Sequence, residues 1–245
     1  MLPLIVSLHV QAGAETVSVT VDGQTRSAVV FAPVAAAAHP PVVFAFHGHF
    51  GASSQAARSF RIQDAWPQAV VVYPQGLPTK AALVDPEGKG SGWDVSAEES
   101  NRDIRFVDAL YKLVMTKYSG DSARVYAMGH SNGSFFMYTL WAIRPNLFAA
   151  FGSAEAAGAN RFNLAPKPVF ITIGSEDRIV PPALQRRSLN AVFQVERSQS
   201  SGQPYGEKGT LYEGLSPVVV WNYPGSHAFP QDCVPSMINF FQNAH

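Results

Sequence analysis

Residues 123–143 read ARVYAMGHSNGSFFMYTLWAI. An apolar, strand-like run breaks at GHSNG and resumes as a segment with helical apolar spacing. Gly-x-Ser-x-Gly arises cheaply by chance in a chain with 19 glycines. It gains meaning from a strand before it, a helix after it and partner residues further along. Gly129 and Gly133 lack a Cβ, so strand and helix can approach closely through a turn that projects Ser131 outward.

Working outward, PVVFAF (41–46), AVVVYP (69–74), FAAFGSA (148–154), PVFITIG (168–174) and VVVWNYP (218–224) are continuous apolar runs, the signature of strands buried on both faces. Between them, QAARSFRIQDAW (55–66) fits a helix, as do PPALQRRSLNAVFQV (181–195) and the terminal VPSMINFFQNAH (234–245). Another helix carries Ile104, Val107, Leu110, Tyr111 and Val114 on one face, with Ser100 and Asp103 expected as its capping pair. TVSVTVDGQTRSAVVFAPV (16–34) reads as a hairpin about Asp22-Gly23. Buried strands alternating with helices imply a mainly parallel, twisted sheet covered on both faces. The expected organisation is one α/β catalytic domain over 15–245, without repeat or linker.

With 245 residues, 47% hydrophobic and 15% charged, the chain is long and apolar enough for a large core. Eighteen basic and eighteen acidic side chains cancel, and no basic stripe suggests a nucleic-acid partner. No apolar run reaches a membrane-spanning length. The first fourteen residues, MLPLIVSLHVQAGA, pair an apolar block with a small-x-small end, read as a shortened signal peptide and hence secretion or periplasmic export. The single cysteine, Cys233, excludes an intrachain disulfide and is expected to be a buried, inert thiol.

In a parallel sheet, functional groups collect on loops at the carboxyl ends of the strands. Ser131 sits on one such loop. A serine nucleophile needs a base, and His227 in NYPGSHAFP follows the last strand. A carboxylate must orient that histidine, and Asp177 in ITIGSEDRIVPP follows the preceding strand, with Glu176 its competitor. The chain order Ser131, Asp177, His227 is that of the α/β-hydrolases. On the loop HGHFG (47–51), the backbone N–H of His49, with Phe50 as alternative, and that of Asn132 are assigned to an oxyanion hole.

HGHFGASS, GSGWDVSAEESNRDIRFVDALYKLV, ARVYAMGHSNGSFFMY, IGSEDRIVPP and PGSHAFP resemble the polyhydroxybutyrate depolymerase and feruloyl esterase group of α/β hydrolases, over roughly Pro41 to Phe229. The more specific parts are the Ser-Asn-Gly elbow and the helix with Asp103, Phe106, Asp108, Ala109 and Leu110. The resemblance implies Ser131 as nucleophile, Asp177 as acid and His227 as base, with no metal or organic cofactor. It implies a secreted serine carboxylesterase acting on feruloyl, aryl or short hydroxyalkanoate esters. An acyltransferase with the same triad, or a polyester depolymerase, is the alternative.

Trp93 and His130 are expected to line the substrate pocket, with anchoring of the long loop the other role for Trp93. His47, His49 and His130 lie close together, yet no carboxylate or cysteine in HGHFG or GHSNG completes a metal ligand set, and His47 is expected to brace the oxyanion loop. Phe135, Phe136, Tyr138 and Trp141 follow helical spacing and are expected in the core. Arg186, Arg187 and the stretch 196–209 are expected to be solvated surface. Only a short link joins 148–154 to 168–174, so no large cap domain and an open cleft are expected.

Overall fold

The computed structural model describes residues 13–34, 38–82 and 84–244. Strands β1 (Ala14–Val21) and β2 (Gln24–Phe31) form the hairpin, its turn made by Asp22 (φ 50°) and Gly23 (φ 76°). Positive φ at both turn residues matches the right-handed twist of the flanking strands. Most of the expected leader, residues 1–12, lies outside the described residues, and β1 already begins at Ala14.

Next come β3 (Val42–Phe46), helices α1 (Ser53–Phe60) and α2 (Ile62–Ala65), and β4 (Val70–Pro74). The single helix expected over 55–66 is two, broken at Arg61 in the left-handed conformation (φ 52°). Phe60 and Ile62, two positions apart, would point to different sides of one continuous helix. The break lets both bury in the same core. A two-stranded ribbon, β5 (Leu77–Pro78) with β6 (Ser91–Gly92), organises the following loop.

Helix α3 (Arg102–Lys117) is capped by Asn101, whose side chain accepts the N–H groups of Asp103 (2.8 Å) and Ile104 (3.3 Å). The expected Ser100–Asp103 cap is therefore displaced by one residue. Asp103 is instead fully buried and paired with Arg26 at 2.7 Å, tying α3 to β2. Then follow β7 (Val125–His130), α4 (Asn132–Ile143), β8 (Ala150–Ala154), a short 3-10 turn (Ala159–Arg161), β9 (Val169–Gly174) and α5 (Pro182–Glu196). The chain closes with β10 (Gln203–Tyr205), β11 (Gly209–Tyr212), β12 (Val218–Tyr223) and α6 (Val234–Asn243). The stretch 196–209 is mostly exposed, as expected, with Glu196 buried, and it carries β10 and the start of β11 at the sheet edge.

One ten-stranded sheet runs β1-β2-β4-β3-β7-β8-β9-β12-β11-β10. Its six central strands are parallel, and an antiparallel pair flanks them at each edge. Alternate residues of one strand enter two separate cores. Phe44, Phe46, Val70 and Val72 meet α3, α4 and α5, while Val43, Ala45, Val71 and Tyr73 meet α1, α2 and α6. Both faces are thus apolar, which is why these strands read as uninterrupted runs. Cys233, just before α6, is fully buried, and burial pushes its thiol well above the ordinary range. Among the described residues no helix is long and apolar enough to cross a membrane.

Candidate active site

The elbow is fixed by sterics. A Cβ on Gly129 would lie 2.3 Å from the Gly133 carbonyl carbon, and one on Gly133 would lie 2.2 Å from the Phe46 oxygen. Only two glycines let α4 leave β7 this closely. The turn puts Ser131 at φ 54°, ψ −123°, a conformation unusual for a residue with a side chain. Ser131 N–H donates to Ala154 C=O at 2.9 Å. The Ser134 hydroxyl bolts the turn down, donating to Gly129 C=O at 2.6 Å and accepting Ala154 N–H at 2.8 Å.

Three distant segments meet at this turn. His227 Nε2 lies 2.7 Å from Ser131 Oγ, and its Nδ1 lies 2.8 Å from Asp177 Oδ2. With Asp177 ionised, Nδ1 carries the proton and Nε2 is left to accept the serine hydroxyl. Asp177 is itself held on several sides: Ile179 and Val180 N–H donate to Oδ1 (2.8 and 2.9 Å), and Gln185 Nε2 donates to Oδ2 (2.9 Å). Glu176 is exposed, whereas Asp177 is buried.

Behind Asp177 stands Glu155, a residue the sequence reading passed over. It is fully buried at the end of β8 with φ 56°, and its carboxyl accepts Thr172 Oγ1 (2.8 Å) and Gly174 N–H (3.0 Å). Burial pushes its pKa up to about 7, with the Asp177 charge adding in the same direction.

The 47–51 loop is built differently. Of the two N–H groups weighed on this loop, that of Phe50 donates to Ser91 C=O at 2.8 Å. The N–H groups of His49 and Asn132 have no partner among the described residues. His49 is clamped from outside: its Nε2 meets Asp85 Oδ2 at 3.0 Å. Asp85 also accepts Gly88 N–H (3.0 Å) and Gly90 N–H (2.7 Å), and the Gly90 bond followed by the His49 bond draws its pKa down to about 2. Ser91 Oγ donates to Gly51 C=O, closing the clamp.

The other histidines have distinct surroundings. His47 Nε2 accepts Gly76 N–H at 2.9 Å, so its Nδ1 donates to Gly48 C=O at 2.7 Å, the expected brace; burial lowers its pKa. His130 faces His227 with ring centres 5.1 Å apart, and burial, then the His227 charge, lower its pKa to about 3. It stays neutral beside the His227 ring throughout the neutral range.

Two hollows flank Ser131. One, of about 510 Å³, is bordered by His130, His227, Phe229, Phe60 and the oxyanion loop. The other, of about 590 Å³, runs beneath the 79–95 loop and against the start of α5. Trp93 only skirts the second. Its ring is 1% exposed, stacks on Phe136 (5.3 Å, 12°) and donates from Nε1 to His47 C=O at 2.8 Å. Asn132 Oδ1 accepts Trp93 N–H at 2.7 Å, so Trp93 anchors the long loop to the elbow rather than offering a face to a ligand. Phe136, Tyr138 and Trp141 are core as expected, but Phe135 is half-buried and lines the second hollow. Its position one helical turn beyond Ser131 was the available signal. Arg187, expected as plain surface, borders the same hollow.

No protein-family model matches this chain, and no curated protein matches it in sequence. Solved structures match it in fold. An acetyl xylan esterase from Aspergillus awamori is 15% identical with a TM-score of 0.66, covering 92% of this chain and 99% of its own. A carboxylesterase from Bacillus cereus is 17% identical with a TM-score of 0.59, covering 90% and 95%. A cold-adapted esterase from an Arctic intertidal metagenomic library is 13% identical with a TM-score of 0.67, covering 96% of each chain. At such identities the likeness is one of fold, and the fold is that of the α/β-hydrolases.

Proposed function

We propose that this chain is a secreted serine carboxylesterase acting on feruloyl, aryl or short hydroxyalkanoate esters, as the polyhydroxybutyrate depolymerase and feruloyl esterase group does. The observation that carries the reading is the continuous chain Ser131 Oγ–His227–Asp177, with contacts of 2.7 and 2.8 Å. Esterases among the structural neighbours support it.

In this reading Ser131 Oγ bonds to the ester carbonyl carbon while its proton passes to His227 Nε2. The carbonyl π pair moves onto oxygen, where His49 and Asn132 N–H meet it. Collapse breaks the acyl–oxygen bond, and the leaving alkoxide takes the proton from Nε2. Water then gives His227 a proton as its oxygen attacks the acyl-serine; collapse returns that proton to Ser131 Oγ and frees the acid. Asp177 holds the imidazolium throughout.

The test is hydrolysis of p-nitrophenyl acetate together with fluorophosphonate labelling. Wild type turns over and is labelled at Ser131; Ser131→Ala lowers kcat by about 10⁴ or more while keeping its melting temperature. Equal rates in the two proteins refute the nucleophile. Recovery of exported protein beginning at Glu15 checks the leader.

A second reading, polyester depolymerase, is favoured by the rim of the site. Of six exposed large apolar side chains among the described residues, Phe50, Val84, Ile179 and Leu184 border the two hollows. Such a lip suits a bulky or solid ester. Release of hydroxy acid from a polyhydroxybutyrate film, compared with a soluble dimer, separates the two.

A further inference from the structure

The two hollows beside Ser131 differ in charge. The 510 Å³ hollow is lined by no lysine, arginine, aspartate or glutamate; the 590 Å³ hollow carries Lys80, Arg161 and Arg187. All three cations are exposed, and among the described residues none is paired with a carboxylate. The one acidic side chain lining that hollow, Asp94, accepts Ser96 N–H at 2.9 Å. In a chain whose formal charges cancel, this is a local excess of positive charge at the ester-facing cleft.

The fold brings the cations there from both sides. Arg161 ends the 3-10 turn and Arg187 lies in α5, and Ala159 N–H donates to Ser188 Oγ at 2.9 Å, docking the two elements together. Lys80 comes from the loop across the hollow. The same hollow is lined by the apolar side chains Phe135, Val180, Ile179, Leu184 and Val84, Phe135 standing one turn of α4 beyond Ser131. A ligand there meets both hydrocarbon and positive charge.

Which half of an ester enters each hollow follows from proton delivery. His227 must hand its proton to the leaving oxygen, and His227 lines the 510 Å³ hollow but not the other. The alcohol therefore leaves toward the uncharged hollow, and the acyl chain lies along the apolar wall toward the cations.

From this asymmetry we propose that the preferred substrates carry an acyl group that is apolar next to the ester and ends in a carboxylate, as in monoesters of α,ω-dicarboxylic acids. Lys80, Arg161 and Arg187 select for that far carboxylate. The inference rests on the serine-esterase chemistry proposed above and departs from the substrates named there. A hydroxyalkanoate dimer carries its free carboxylate on the alcohol fragment, on the side without cations, and is disfavoured.

The experiment compares mono-p-nitrophenyl adipate and suberate with the same esters capped as primary carboxamides, reading the ratio of kcat/KM. Wild type in low salt favours the carboxylate by about tenfold, the size of two weak exposed charge contacts acting together. That ratio falls toward one in ~0.5 M salt, where exposed charges are screened. It also falls in Arg161→Gln/Arg187→Gln, and Arg187→Glu lowers it further. A wild-type ratio at or below one, or a ratio indifferent to both salt and substitution, overturns the inference while p-nitrophenyl acetate turnover leaves the esterase reading standing. If no ester is cleaved and fluorophosphonate fails to label, both fall together.

Discussion

Gly133 stands so close to β3 that a Cβ there would lie 2.2 Å from the Phe46 oxygen, whereas His49, just past the end of that strand, is fixed by Asp85, 36 positions further along the chain. The Ser131 turn is set by close backbone contact, with the Ser134 hydroxyl fastening it. The 47–51 loop has close contacts too, a Cβ on Gly51 falling 2.8 Å from the Gly48 oxygen and one on Gly92 2.4 Å from His49 Nδ1, but it is held in addition by polar contacts from the 85–92 segment. One half takes its glycines from a single short segment, although the Phe46 backbone that Gly133 meets lies 87 positions earlier. The other exists only once the chain has folded around it.

The largest effect should come from breaking the steric half. Gly133→Ala places a methyl against backbone that cannot yield, so the variant should fail to accumulate folded or melt at least ~10 °C lower, corresponding to roughly 3 kcal/mol or more. A normal melt would show that strand and helix can separate at this point.

A smaller effect should follow from releasing the borrowed half. Asp85→Ala frees the His49 ring and the Gly88 and Gly90 N–H groups, and kcat should fall about 10- to 100-fold, less than outright loss of an oxyanion donor. KM should change little and the melting temperature by only a few degrees. Asp85→Asn, which keeps an acceptor oxygen, should recover part of kcat. A large drop in stability with kcat intact would make the clamp a scaffold only.

The smallest effect sharpens the comparison at the acid loop, which combines both devices. Asp177 is held by its own loop's N–H groups, while Glu155, from a different strand, ties down Gly174. Burial raises the Glu155 pKa from 4.5 to about 7, so between those values the folded protein holds a proton the unfolded chain has released. Its contribution to stability is therefore fully present below about pH 4.5, declines up to about pH 7 and stays lost above. Glu155→Gln lacks that loss, so its melting temperature relative to wild type should rise by a few degrees from pH 5 to pH 8. Glu196, raised to about 7 by burial, acts alike in both proteins and cancels in the difference. A gap that does not vary with pH would refute the protonated carboxyl.

The same division decides what the sequence disclosed. The central strands were readable because both faces are buried, and the elbow because its two glycines and flanking periodicities lie within one short segment. The break at Arg61 was not, since it answers to Phe60 and Ile62 sharing a core that only the tertiary fold defines. Nor were β10 and β11: three and four residues long, polar and at a sheet edge, they lack an apolar run. Asp85 carried a faint local signal in its spacing to Gly88 and Gly90, but its pairing with His49 is long-range. Asp103 reads as a cap from sequence because nothing nearby announces Arg26. Asp108, from the same helix, likewise finds its partner, Arg144, across the fold at 3.0 Å.

Cys233 gives these comparisons a handle. Its thiol is the chain's only one, sealed beneath the final helix and held in its unreactive protonated form. A thiol-reactive dye added to the native protein should stay silent until that part of the structure opens, and then report through a single site. Each stability difference predicted above can therefore be followed as a labelling rate at constant temperature, with no introduced probe and no disulfide exchange to confuse the signal.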